Sequence, residues 1–162
     1  MYGNVREDTM DRISSFRGEY DFLSNFYGCT VNYGGITYKH TEGAFQAQKT
    51  HDEEKKWYVA TLSAADSKKA CGRRGLGGFK LELRPDWEDV KDNIMFEIVC
   101  AKFEQNPELC EKLLATGDAE LVEGNTWHDN YWGDCSCERC KNTPGKNMLG
   151  KTLMMIRQRL EQ

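Results

Sequence analysis

The sequence predicts a mainly helical α+β fold, one compact domain carrying a small β-hairpin. Three observations lead there. A two-residue Gly34-Gly35 turn sits between β-prone arms in "TVNYGGITY", long stretches repeat their apolar residues at helical spacing, and neither internal repeats nor low-complexity linkers interrupt the chain. The first dozen residues read as a loose lead-in, which puts the domain at 13–162.

The hairpin comes first. Pairing across Gly34-Gly35 sets Tyr33 opposite Ile36 and Val31 opposite Tyr38, all on one face, as a half-buried hairpin requires. Helices follow. Thr41 is placed to cap "TEGAFQAQK", and Ser63 with Asp66 forms a capping-box pattern before "AADSKKACG". Pro85 is expected in a first helical turn, and from Trp87 the stripe Val90, Ile94, Ile98, Ala101 runs to "EQNP". Asn106-Pro107 opens a short helix through Leu113, and "AELVEG" reads as one more strand. Asn147 is expected to cap a last helix with the stripe Leu149, Leu153, Ile156, Leu160. The glycines around "RRGLGGFK" follow a helical pattern instead of a strand and match no phosphate-loop fingerprint; Arg73, Arg74 and Lys80 could grip a phosphate, but a solvated turn is preferred.

Composition narrows the function. With 39% hydrophobic residues in 162, the chain can bury an ordinary core. No apolar run is long enough for a transmembrane span, and the charged N-terminus does not fit a signal peptide, so the cytoplasm is expected, with no membrane partner. The seven cysteines are an odd number and read as thiols. A net charge of −4 with mixed signs lacks the footprint of a tight nucleic-acid binder but allows an enzyme acting on a modified base.

Three stretches could carry chemistry. On the "TEGAFQAQK" helix, Glu42, Gln46 and Lys49 fall on one stripe with Phe45 beside them, and the small residues between suggest packing on several sides. Facing solvent, the charged pair is decoration; facing a pocket, it is an acid or base with a perturbed amine. "NTWHDNYWGD" combines stacking aromatics with side chains that read polar edges, and alternatively is a polar loop pinned by its aromatics. Cys135, Cys137 and Cys140 form C-x-C-x2-C, with Cys29 or His128 available as a fourth ligand. The usual zinc signature has two separated C-x2-C pairs, so a thiol-rich loop is preferred and no cofactor or metal is expected. His40, His51 and His128 are too scattered for a His-x3-His pair, and seven residues separate His128 from Cys135, which leaves a Cys–His nucleophile unsupported.

Taken together, "FLSNF", "TEGAFQAQK", "RPDWEDVK", "AKFEQNPELCEKLLATGDAELVE", "YWGD" and "GKNMLGKTLMMIR" resemble the NADAR family, whose bacterial members include YbiA-like proteins. The resemblance runs from about Phe16 to Arg157, with the motifs in the family's order. It implies a compact, mainly helical α+β domain and cleavage of an N-glycosidic bond. Two substrate classes go with it: ADP-ribose on the amino group of guanine in nucleic acid, placed first, and phosphorylated ribosylamino-pyrimidine intermediates of riboflavin biosynthesis. Some members act as antitoxins, so a DNA-modifying ADP-ribosyltransferase toxin is an implied partner. The family's acid falls on Glu42 and its lysine on Lys49, with Asp134 as second carboxylate by analogy with paired-carboxylate glycosidases. Phe16, Asn25, Phe26, Gln46, Trp87, Trp132 and Gly133 make the expected substrate-binding set. After Asp134 the sequence departs from the YbiA-like pattern, with "CSCERCKNTP" in place of glycine-rich residues. A binding module that holds ADP-ribose without cleaving it, and a zinc-ribbon-like interaction protein, are the readings from other classes.

Overall fold

The computed structural model describes residues 11–162. All but the last two residues of the expected lead-in lie outside them. In chain order the elements are β1 (Arg12–Ile13), a 3-10 turn (Gly18–Leu23), β2 (Gly28–Tyr33), β3 (Ile36–His40), α1 (Thr41–Ala47), α2 (Glu53–Val59), α3 (Ala64–Ala70), α4 (Trp87–Gln105), α5 (Pro107–Ala115), β4 (Glu120–Leu121), β5 (Gly124–Asn125), β6 (Asp134–Cys135) and α6 (Met148–Leu160). Helix outweighs strand, as an α+β fold of mainly helical character requires. Two compact units divide them: one is Phe22–Cys110, and the other combines the described residues up to Asp21 with Glu111–Gln162.

The contiguous unit is built on the hairpin. Gly34 and Gly35 both take positive φ, 59° and 81°, the turn whose twist matches that of paired strands. The register sets Tyr33 against Ile36 and Val31 against Tyr38, with Val31, Ile36 and Tyr38 buried. The C-terminal end of α4 ties to β2 through amides. Asn32 N–H donates to Gln105 Oε1 at 2.7 Å, Gln105 Nε2 returns a bond to Asn32 O at 3.0 Å, and Asn106 Nδ2 donates to Thr30 O. The stripe of α4 is wider than expected: Met95, Val99 and Phe103 are buried along with Ile94 and Ile98, while Val90 and Ala101 are half-buried. Lys102 is buried too, its Nζ donating to the carbonyls of Phe22 (2.6 Å) and Ser24 (3.0 Å), which fixes the chain entering the Asn25-Phe26 segment.

Two caps differ from expectation. His40, one residue earlier than Thr41, caps α1, its Nδ1 accepting from Gly43 N–H at 2.9 Å. Nε2 stands 2.9 Å from Leu62 O, so the proton sits on Nε2 and the ring is neutral. Burial holds the pKa of His40 below its ordinary value, against the pull of the Leu62 carbonyl. Pro85 lies outside α4, whose N-cap is Asp86. That carboxylate is engaged by Arg84 at 2.6 and 2.9 Å and makes no cap bond. Ser63 caps α3 through Asp66 N–H as expected.

In the other unit, β1 pairs with β4 and β5 with β6, both parallel. The expected strand in "AELVEG" is thereby two short ones. Arg12, assigned to the lead-in, is already in β1. Leu149, Leu153 and Ile156 of α6 are buried. Asn147 is its N-cap in position but not in chemistry: at φ 51° it makes no cap bond, and its side chain takes Glu123 N–H and donates to Leu121 O, stitching α6 to β4. No described helix is long and apolar enough to cross a membrane.

Candidate active site

Every residue of α1 is buried, so whatever the helix carries is either packed or presented to a pocket. Glu42 and Gln46 are 8% and 6% exposed, and one turn apart they meet: Gln46 Nε2 donates to Glu42 Oε1 at 2.9 Å. The backbone of Glu42 is tied to the SNF segment, its N–H donating to Asn25 O at 2.9 Å. Phe45, on the same helix, packs its ring 5.1 Å from that of Trp87.

Lys49 was expected on the α1 stripe. The helix ends at Ala47, and Lys49 sits in the turn beyond, its N–H on Gln46 O and its carbonyl taking the amide of Arg84 at 2.8 Å. Its Nζ lies 5.9 Å from the Trp87 ring centroid. Burial pushes its amine pKa below the ordinary lysine value, while Cys71, Glu42 and Glu88 pull it back and Lys68 adds to the depression. Cys71 belongs to the same cluster. Burial raises its thiol to about 11, with Lys49 pulling down and Glu42 pushing up, so at neutral pH it is a thiol and not a nucleophile.

Three polar atoms here are buried without a hydrogen-bond partner among the described residues: Thr41 Oγ1, Gln46 Oε1 and Ser67 Oγ. Such atoms are rare in a finished core, because each carries its full desolvation cost. Ser67 and Cys71 went unread in the sequence, although their i,i+4 spacing puts both on one face of the α3 segment. That face meets α1 at Gly43, where a Cβ would stand 3.4 Å from Ser67 Oγ and 2.7 Å from the His40 ring.

The contiguous unit thus gathers Asn25, Glu42, Gln46, Lys49 and Trp87 of the expected set. Asn25 is buried, its Nδ2 3.6 Å from Met95 Sδ, whereas Phe26 is 47% exposed. Phe16, Trp132, Gly133 and Asp134 belong to the other unit. Phe16 is buried. The W-G-D segment there is an N-terminal cap made of backbone: the carbonyls of Tyr131, Trp132 and Gly133 accept the N–H groups of Met148, Leu149 and Asn147, which the start of α6 otherwise leaves unsatisfied. Gly133 has no room for a side chain, since a Cβ would stand 2.2 Å from Glu123 O. Asp134 Oδ1 accepts the Gly145 amide at 2.8 Å, and Oδ2 lies 3.9 Å from Arg12 Nη2. The remaining polar groups of "NTWHDNYWGD" fold the loop: Asp129 Oδ1 takes the amides of Tyr131 and Trp132, and Asn125 Oδ1 those of Trp127 and Asp129.

Comparison with known proteins decides the family. The NADAR domain profile matches residues 14–161, across both units. The chain belongs to the NADAR family. It is 39% identical over 157 residues to N-glycosidase YbiA of Shigella boydii, covering 97% of this chain and 92% of that one. A riboflavin biosynthesis protein of Vibrio vulnificus is 38% identical over 141 residues, 87% of this chain but 36% of the longer relative. Among solved structures, the NMR structure of Escherichia coli YbiA superposes with a TM-score of 0.75 at 34% identity, over 98% of this chain and 90% of that one. This NADAR kinship bears out the expected fold class and the expectation of an N-glycosidase enzyme.

Proposed function

We propose that the chain hydrolyses the bond between C1′ of a 5′-phosphorylated ribose and the exocyclic amino nitrogen of a base, with ADP-ribosylated guanine in nucleic acid as its substrate. The observation that supports the reading is the buried Glu42–Gln46 pair with half-buried Lys49 in the turn beyond it, in a unit where Thr41 Oγ1, Gln46 Oε1 and Ser67 Oγ have no hydrogen-bond partner among the described residues. Breaking the glycosyl bond develops positive charge at C1′, and Glu42, held in one rotamer by Gln46, is the group that stabilises it and moves the proton. The ribose ring opens to an iminium joining C1′ to the base nitrogen, and the deprotonated fraction of Lys49, its amine pKa lowered by burial, adds to C1′. The base leaves with its amino nitrogen protonated, and water hydrolyses the resulting imine to free sugar and amine. An ADP-ribosyltransferase that modifies DNA is the reaction that supplies such a substrate.

A second reading rests on the Vibrio vulnificus relative: phosphorylated ribosylamino-pyrimidines carry the same sugar on the same kind of nitrogen. The deciding experiment incubates the protein separately with guanine-ADP-ribosylated oligonucleotide and with the ribosylamino-pyrimidine phosphate. Release of ADP-ribose from the first is expected. Consumption of the pyrimidine alone transfers the assignment to the second substrate, and turnover of neither overturns the enzyme assignment in favour of an ADP-ribose-binding module.

A further inference from the structure

We propose that the loop from 128 to 140 binds one zinc(II) ion, held by His128 Nδ1 and the thiolates of Cys135, Cys137 and Cys140. The four ligand atoms lie within 4.8 Å of one another. Nδ1 is 2.9 Å from Cys137 Sγ and 3.8 Å from Cys140 Sγ. A tetrahedral ion with ordinary Zn–S and Zn–N bonds sets S···N edges of about 3.6 Å and S···S edges of about 3.8 Å, so small side-chain movements seat the metal. No disulfide joins any of these cysteines.

The loop is shaped for thiolates. Backbone amides of His128 and Cys137 donate to Cys135 Sγ at 3.3 and 3.4 Å, and the Cys137–Cys140 segment closes through Cys140 N–H on Cys137 O at 3.0 Å. Arg139 Nη1 lies 3.4 Å from Nε2, on the far side of the ring, where a guanidinium offsets the net negative charge of a metal with three thiolates. Three sulfurs and an imidazole select zinc over the oxygen-seeking magnesium and calcium. Four protein ligands close the coordination sphere, which makes the site structural. Its place is specific: Cys135 follows Asp134 in β6, so the metal pins the strand that ends the W-G-D segment. The sequence signal was present but divided, because His128 lies seven residues from the first cysteine and the chain reverses at its positive φ of 71°.

The test uses the full chain purified without chelator. Elemental analysis is expected to find one zinc per chain, and cobalt(II) substitution to give the intense visible spectrum of a tetrahedral thiolate site. Cys137→Ser is expected to lose the metal, Cys29→Ser to keep it, and His128→Cys, which offers a fourth thiolate, to keep it with a cobalt spectrum shifted toward all-sulfur ligation. Zinc well below one per chain, with only the spectrum of hydrated cobalt, overturns the proposal. So does a Cys137–Cys140 disulfide in freshly isolated protein, or an unchanged cobalt spectrum in His128→Ala.

Discussion

Around α1 buried side chains carry polar atoms, some with no hydrogen-bond partner among the described residues. Along 131–149 the backbone is matched instead: the carbonyls of Tyr131, Trp132 and Gly133 accept the amides of Met148, Leu149 and Asn147, and Asp134 Oδ1 accepts that of Gly145. Both regions carry motifs of the NADAR family, yet the motifs mean different things. In the first, buried side chains meet one another, Gln46 Nε2 donating to Glu42 Oε1. In the second, Gly133 is required because a backbone oxygen lies where its Cβ would be. A motif therefore tells where a family is constrained, and the hydrogen-bond census tells whether chemistry or architecture does the constraining.

Substitutions sharpen that contrast. Glu42→Gln is near-isosteric, so the fold and Tm should hold while turnover falls by ~10²-fold or more, the loss expected for an acid–base or electrostatic group; single-turnover rates beside thermal melts check it, and a rate close to wild type would remove Glu42 from the mechanism. Lys49→Arg keeps the charge but not the nucleophile. Borohydride added during turnover should trap a sugar adduct on the wild type, read by intact mass, and none on the variant. Because folding lowers the Lys49 pKa, the amine loses its proton at lower pH than a free lysine. The wild-type rate should then rise with pH through that range, and stability should rise in the same direction, since the unfolded chain binds the extra proton. An unchanged profile in Lys49→Arg argues against covalent catalysis.

Gly133→Ala is expected to act in the opposite manner, through stability. Its Cβ would meet Glu123 O at 2.2 Å and Asn125 Nδ2 at 2.7 Å, and overpacking of that kind costs about 1–3 kcal/mol. A melting curve lowered by several degrees is the readout, and an unshifted one would break the architectural account of W-G-D. The smallest effect is expected at Phe26→Ala. With nearly half its surface in solvent, Phe26 should leave stability within about 0.5 kcal/mol and raise KM without touching kcat, if it holds substrate as the resemblance implies.

Features written within one element were legible in the sequence. The hairpin and its register follow from Gly34-Gly35 and the alternation around it, and the Glu42–Gln46 contact follows from helical spacing. Features made by two elements were not. Thr41 has the right chemistry for a cap, but the His40 ring takes the Gly43 amide from one residue earlier and leaves the threonine oxygen with no hydrogen-bond partner among the described residues. Asn147 has the right position for a cap, and its amide is instead taken by β4 and its neighbour. Cys71 joins Lys49 and Glu42 only because α3 folds back on α1, a contact with no trace in the local pattern.

The parallel pairing of β1 with β4 joins Arg12 to Glu120 and Ile13 to Leu121, across more than a hundred intervening residues. Closing a loop of that length costs roughly 2 kcal/mol more chain entropy than closing one a tenth as long, so the contact is favourable only after other structure has shortened the effective distance. The hairpin and helices between Phe22 and Cys110 do that shortening, and on a ribosome they are available before Leu121 or α6 has been made. The order of events is therefore built into the connectivity: the hairpin amides of β2 and β3 should gain protection early in pulse-labelled hydrogen exchange during refolding, and Glu120 and Val122, which bond to Asp11 and Ile13, should gain it last.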